Sequence, residues 1–321
     1  NGSIDWCCMP RFDSPSIFAA VLDDKLGGCF AIAPRDEWSS SQRYISDTNV
    51  LETRFETADG IVIVTDCMPL FESVTDPSGL TIHHQIVRMV RCASGKATME
   101  VTYQPMPDYG RATPSVTKTN KVLVTQWNDQ CLELLTPVEL DVTNNGALGV
   151  LNLVEGDEVA FVLGYSDRNN PKNPAEDPGN LVMNTAFFDQ AFAYDIQCGD
   201  DWHEAVVRSA LVLLAMTYFP SGGIVASPTT SLPVEIGGVQ NRDCRYTWIR
   251  NASFTVDALI SLGETTVALW FFEWLCRICQ TPGEEFQILY RVDGTSDIHE
   301  EELTHLNGYR NSRPVRIGNR L

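Results

Sequence analysis

Between Leu51 and Glu56 the chain alternates, with Leu51, Thr53 and Phe55 on one side of an extended segment and Glu52, Arg54 and Glu56 on the other. A period of two marks a strand with one buried face. Asp59-Gly60 supplies a tight turn before Ile61-Val62-Ile63-Val64, so a hairpin is predicted. The alternation returns with Met99, Val101 and Tyr103 facing one way and Thr98, Glu100 and Thr102 the other. Apolar runs follow at Val122-Leu123-Val124, Leu132 to Leu135 and Val159 to Leu163, broken by turn clusters such as Asn144-Asn145-Gly146. Many short strands with few helices between them predict an antiparallel β-sandwich over residues 1–165.

The stretch from Asp167 to Gly179 is polar and Pro-rich, and residues 166–200 are read as a linker with a helix. Beyond it the period changes. Val206, Val207, Ala210, Leu211, Leu214 and Tyr218 form a helical stripe, with Glu204 and Arg208 spaced for an i,i+4 ion pair. A second stripe runs through Val267, Trp270, Phe271, Trp274, Leu275 and Ile278 and is stopped by Thr281-Pro282-Gly283. Residues 201–321 therefore read as helical, interrupted by long loops at 221–244 and 283–321 of the kind that more often carry function than idle.

Charge narrows the partners. With 23 Lys and Arg against 42 Asp and Glu among 321 residues, the net charge is -19, which repels nucleic-acid phosphates and anionic lipid but leaves a neutral, hydroxyl-rich substrate open. No apolar run approaches the roughly 20 residues that span a bilayer. The ten cysteines are scattered without a compact framework, so free buried thiols and a cytoplasmic setting are expected, a secreted one staying open. The chain opens on Asn1 without an initiator Met, so it is expected to begin inside a longer sequence or after a cleavage.

The densest chemistry lies in residues 237–254, which end a loop and open a helix with three arginines, three aromatics and several amides. Arg and Asn hold fixed multidentate hydrogen bonds to hydroxyls, and Trp and Tyr present flat faces that match the CH-rich side of a pyranose. Sugar recognition fits this mixture; so does plain tethering of the loop and capping of the helix. Cys276-x-x-Cys279 has zinc-like spacing but lies in the second apolar stripe without a second pair, and is read as a core pair. Glu284-Glu285 and Glu300-Glu301-Glu302 read as solvated rather than as acid/base carboxylates, and Asn1-Gly2-Ser3 and Asn251-Ala252-Ser253 match a glycosylation sequon. There is no phosphate loop, His-Glu-x-x-His pair or Gly-x-Ser-x-Gly elbow, and no metal site or cofactor is expected.

Four ordered segments carry a family resemblance. Residues 1–15, opening Asn1-Gly2-Ser3-Ile4-Asp5-Trp6, resemble the start of the N-terminal β-sandwich of the trehalase-like and glucoamylase-like proteins of glycoside hydrolase family 15. Residues 224–233, residues 245–257 and residues 309–319 resemble that family's catalytic-domain signatures. The resemblance implies a multidomain α and β protein, in which an antiparallel β-sandwich precedes the first part of an (α/α)6 barrel, and implies hydrolysis of an α-glucosidic bond with inversion. Its substrate would be trehalose or another α-glucoside. Inversion needs two carboxyl groups roughly 6.5–9.5 Å apart. In the family both are glutamates on later barrel loops, so they are expected beyond Leu321, with an incomplete glycosidase domain over 201–321 and no catalytic residue here.

Substrate binding is what the resemblance carries over. Trp248 and Arg250 fall where the family surrounds the terminal glucose, Arg313 lies in a similar pocket-lining segment, and Tyr246 belongs to the same signature. Two positions depart: Asn251 stands where the family usually has Asp, and Cys244 where it usually has Tyr. Asp accepts charge-assisted bonds from sugar hydroxyls, which Asn cannot, so the sugar clamp is weaker. A catalytically inactive sugar-binding relative is the alternative function. A non-functional fragment is a third reading, and it predicts exposed apolar helix faces at Trp270 and Trp274.

Overall fold

The computed structural model describes residues 1–72, 80–82, 84–167, 177–279 and 286–320. The expected hairpin forms: Leu51–Thr57 and Gly60–Cys67 pair antiparallel with Phe55 opposite Val62, and both side chains are buried. Around it a twelve-stranded antiparallel sheet is organised by one 20-residue strand, Gln85–Gln104. The first half of that strand pairs with Gly60–Cys67 and Glu158–Asp167. Its second half pairs with Cys29–Pro34 and Gly146–Val154. The register shifts between Cys92 and Ser94, where the strand passes from one set of partners to the other. Side chains from both sets, among them Phe30, Phe55, Val64, Met99, Tyr103, Leu132, Leu151 and Phe161, meet in a single core.

One charge is buried beside this core. Arg88 is fully buried and gives its Nε to Asp66 at 2.8 Å, its Nη2 to the Gly2 carbonyl at 2.7 Å and its Nη1 to the Phe30 carbonyl at 2.5 Å. Gly2 has a φ of +68°, and a Cβ there would lie 2.3 Å from the Ile32 carbonyl oxygen, so only glycine lets the N-terminal strand close on Arg88.

Helix α1, Pro178–Asp195, starts at Asp177, whose side chain accepts the amides of Gly179 and Asn180. It lays Leu181 against Val50, Cys67, Val87 and Val162, which lie outside the main core. Residues 168–176, the centre of the expected linker, lie outside the described residues, as do the stop signal at 281–283 and Glu284-Glu285. Helix α2, His203–Ala215, buries Val207, Ala210, Leu211 and Leu214 as the stripe requires. It ends before Tyr218, which instead belongs to a two-residue strand, Thr217–Tyr218, paired with Gly223–Ile224. Arg208 does not pair with Glu204. It stacks 4.1 Å over Tyr44 and donates to the Thr48 carbonyl at 2.5 Å and to Asn49 Oδ1. A half-buried guanidinium finds fixed acceptors on the β domain, and these outweigh an exposed glutamate whose ion pair would be solvent-screened.

Helices α3, Ile249–Ser261, and α4, Thr266–Cys279, complete the helical region. Trp274 is buried and donates its indole N–H to the Val292 carbonyl at 3.0 Å, and Trp270 is half-buried against Phe219. The exposed apolar groups are therefore not those two tryptophans but Leu269 and Phe272, 60% and 61% exposed, with Phe254 and Ile260 on α3. Cys276 and Cys279 do not form a core pair: Cys276 is half-buried and Cys279, on the last turn of α4, is exposed. All ten cysteines are free, but only Cys7, Cys67, Cys92 and Cys131 are buried, because the others lie on loops, strand ends and helix surfaces. Glu300, Glu301 and Glu302 are exposed, as read. Among the described residues no helix is long and apolar enough to cross a membrane.

Candidate functional site

Residues 225–227 run between two neighbouring segments of chain. The Val225 amide donates to Met216 O at 3.0 Å, the Ala226 amide to Tyr246 O at 3.2 Å and the Ser227 amide to Cys244 O at 2.9 Å. On the far side Thr247–Trp248 pairs with Leu289–Tyr290, and α3 begins at once, with Trp248 as an N-cap that supplies no side-chain bond. The Ile249 amide that opens α3 donates to the Ile288 carbonyl at 3.1 Å, and no capping side chain covers the amides that follow it. The end of α2, the 225–228 segment and the first turn of α3 enclose a cleft of about 490 Å³. Its polar lining comes from Ser227, Arg250, Asn251 and Thr255, and its apolar lining includes Met216 and Phe254.

The sequence-derived candidates fall into three groups. Arg250 and Asn251 are exposed and line the cleft together. Tyr246 and Trp248 pack beside it: Tyr246 is buried with Leu289 and Ile298, Trp248 lies half-buried against them, and Arg291 sits 5.9 Å over the Tyr246 ring. Burial pushes the Tyr246 phenol up to about 12. Cys244 takes part through its carbonyl, and burial raises its half-buried thiol. Arg313 is not among the side chains lining the cleft; it is exposed and donates to Asn307 Oδ1 at 2.6 Å. Among the described residues no group of three or more His, Cys, Asp or Glu side chains is arranged to hold a metal ion.

The sequence reading passed over Met216, Ser227, Phe254 and Thr255 as cleft residues, and it passed over Trp6. Trp6 donates its indole N–H to the Pro228 carbonyl at 2.7 Å, so the β domain touches the cleft wall directly. Met216 and Pro228 also line a second, mostly apolar groove of about 520 Å³ between the β domain and α2, with Phe12, Tyr44, Asp189 and Tyr218. The cue for Trp6 was its place in the opening segment; the partner 222 residues away left no local signal.

Comparison with known proteins bears on both halves. The family described as "Trehalase-like, N-terminal" matches residues 1–166, and "Glycosyl hydrolases family 15" matches residues 201–321. A trehalase of Mycolicibacterium smegmatis is 33% identical over 344 residues, covering 99% of this chain and 51% of the relative. Trehalase 2 of Sulfolobus acidocaldarius is 31% identical, covering 99% and 54%, and the trehalase of Thermoplasma acidophilum is 30% identical, covering 100% and 54%. The chain thus spans about half the length of the curated relatives it matches. Among solved structures, a putative kojibiose phosphorylase from human microbiome aligns with a TM-score of 0.48 at 10% identity, covering 84% of this chain and 43% of that one.

Proposed function

Because the chain belongs to glycosyl hydrolases family 15, with a trehalase-like N-terminal domain, we propose that its protein hydrolyses α-glucosidic bonds, with trehalose as substrate. The helical region is read as the first part of an (α/α)6 barrel. What supports a sugar-binding role for this chain is the pairing of Arg250 and Asn251 on the first turn of α3, in one cleft with Ser227 and Thr255. An Arg fork, a side-chain amide and two hydroxyls offer a dense set of donors and acceptors to a neutral polyol. Trp248 and Tyr246 back this turn, and Arg313, held by Asn307 outside the cleft lining, is left out of this reading.

None of the residues lining the cleft is a carboxylic acid. Inverting hydrolysis needs one carboxyl group to protonate the leaving oxygen and a second to activate water. The proposed division of labour gives this chain the binding and orientation of the glucosyl unit and assigns both proton transfers to carboxylates outside this lining. Holding the ring still removes part of the entropic barrier before any bond breaks. Ten free thiols support a cytoplasmic setting.

A second reading, a sugar-binding relative without turnover, is favoured by Asn251 and Cys244, the two departures from the family pattern. Two measurements separate the readings: calorimetric titration of the chain with trehalose, maltose and glucose, and glucose release from trehalose, maltose and soluble starch by the whole protein. Binding with release supports the hydrolase, and binding without release supports the second reading. If no sugar binds and none is cleaved, both fall.

A further inference from the structure

Arg245 and Asp243 are both 0% exposed and sit where the β domain meets the loops that build the cleft. Asp243 takes two of the guanidinium bonds, from Nε at 2.9 Å and Nη2 at 2.6 Å. The remaining donors cross to the β domain: Nη1 reaches the Ser14 carbonyl at 2.8 Å, and Nη2 reaches the Tyr109 hydroxyl at 2.9 Å. The rings of Trp6 and Tyr109 flank the guanidinium at 5.7 and 5.4 Å. Asp243 also accepts the Gly318 amide at 3.0 Å, and its carbonyl accepts Asn319 Nδ2 at 2.8 Å. Burial opposes the charged guanidinium, yet Asp243 beside it holds it firmly protonated.

The peptide units on either side of this arginine carry the cleft wall. Cys244 O accepts the Ser227 amide and Tyr246 O accepts the Ala226 amide, and the wall is fixed again at Pro228 by Trp6. In the other direction the chain runs from Arg245 through the two-residue strand Thr247–Trp248 straight into the turn that holds Arg250 and Asn251. A buried ion pair adds little net stability over well-packed apolar groups, but it fixes register. A guanidinium holds its donors in one rigid plane, which an ammonium cannot imitate.

We propose that Arg245, locked by Asp243, is a positioning residue for the sugar cleft, through which the β domain sets the 226–228 wall and the first turn of α3. The guanidinium lines neither cavity, so its action on a ligand is indirect. The proposal rests on the sugar-binding reading for its effect on affinity, while its effect on backbone order stands apart from that reading.

The test uses the full chain with Arg245→Lys, Tyr109→Phe and Trp6→Phe. Three quantities are read: thermal midpoint, amide hydrogen exchange resolved to Ala226 and Ser227, and trehalose affinity by calorimetry. Tyr109→Phe keeps the ring and removes the hydroxyl that accepts from Arg245 and donates to the Ser14 carbonyl, and Trp6→Phe keeps an aromatic side chain without the indole N–H that holds Pro228, so exchange at Ala226 and Ser227 should quicken about threefold to tenfold. Exchange at Val64 and Leu134 in the sandwich should stay unchanged. Trehalose affinity should fall by a similar factor, and further in Arg245→Lys. Unchanged exchange at Ala226 and Ser227, or exchange that rises equally through the sandwich, overturns the proposal. If Arg245→Lys does not fold, Tyr109→Phe and Trp6→Phe decide. A wild-type chain that binds no sugar refutes the functional reading instead, and the exchange data still decide the positioning role.

Discussion

Replacing Asn251 by Asp tests whether the cleft recognises sugar through the first turn of α3. Asn251 is exposed and is the third residue of a helix whose first turn holds no acidic group. A carboxylate there acts in two separable ways. It faces the positive end of the helix dipole, which adds about 0.3–1 kcal/mol of stability and about 1–3 °C in melting temperature for a domain of this size. It also turns a neutral acceptor into a charged one. Hydrogen bonds to charged groups contribute about 1.5–3 kcal/mol against about 0.5–1.5 kcal/mol for neutral ones, so a sugar hydroxyl donating to residue 251 should bind about fivefold to tenfold tighter. Titration calorimetry with trehalose and glucose reads the second effect, and scanning calorimetry without sugar reads the first. Salt separates them further, since the dipole contribution is screened at high ionic strength. A higher melting temperature with unchanged affinity would refute the assignment, because residue 251 would then merely begin the helix. A fall in affinity would show that the ligand needs the amide as a donor.

Three further outcomes are expected. Burial pushes the carboxyl of Asp189 up to about 6, against the amide bond from Asn49 and the charge of Arg208. The native state therefore keeps a proton that the unfolded chain releases near pH 4. The stabilisation is full below that pH and lost as pH rises to about 6, so Asp189→Asn should gain up to about 3 kcal/mol over wild type between pH 4 and pH 7. Urea melts showing the same difference at both pH values would sink this. Arg88→Met strands Asp66 and the carbonyls of Gly2 and Phe30, and should lose about 3–5 kcal/mol, whereas Arg43→Met, at the exposed pair with Glu52, should lose under about 1 kcal/mol. Comparable losses in denaturant melts would contradict the role given to burial. With a thiol reagent, exposed Cys279 should react first in the native protein, and Cys7, Cys67, Cys92 and Cys131 only on unfolding; early labelling of any buried one, followed by peptide mapping, would count against the packing described.

Local periodicity made much of the fold legible. The hairpin around Asp59-Gly60 and the buried stripes of α2 and α4 follow from spacing alone, because each residue's neighbours along the chain determine its face. Where a long-range partner competes, local rules fail. The spacing of Glu204 and Arg208 predicts a surface ion pair, but Thr48 and Asn49 arrive from 160 and 159 residues away and take the guanidinium. The stripe of α4 was legible, but not what covers it: the fragment reading alone put Trp270 and Trp274 in water, whereas Trp274 is buried, Trp270 is half-buried, and Leu269 and Phe272 are what water meets. At the candidate site, Arg250 and Asn251 could be singled out by type and signature. Arg245 carried the same signature, and nothing local distinguishes an arginine that faces a cleft from one that binds Ser14 across 231 residues.

The strand Gln85–Gln104 belongs to both halves of the sheet at once. A sandwich of two separate sheets offers a natural seam, along which one layer can loosen, be exchanged or be cut away. Here the seam is bridged by covalent chain, and the register shift at Cys92 and Ser94 sets how one half sits against the other. A single residue inserted on either side of that point would slide one half past its partners and turn its inward side chains outward. The β domain is thus indivisible in a sense that its strand count hides: no split-protein boundary or permutation point inside this strand leaves two intact layers.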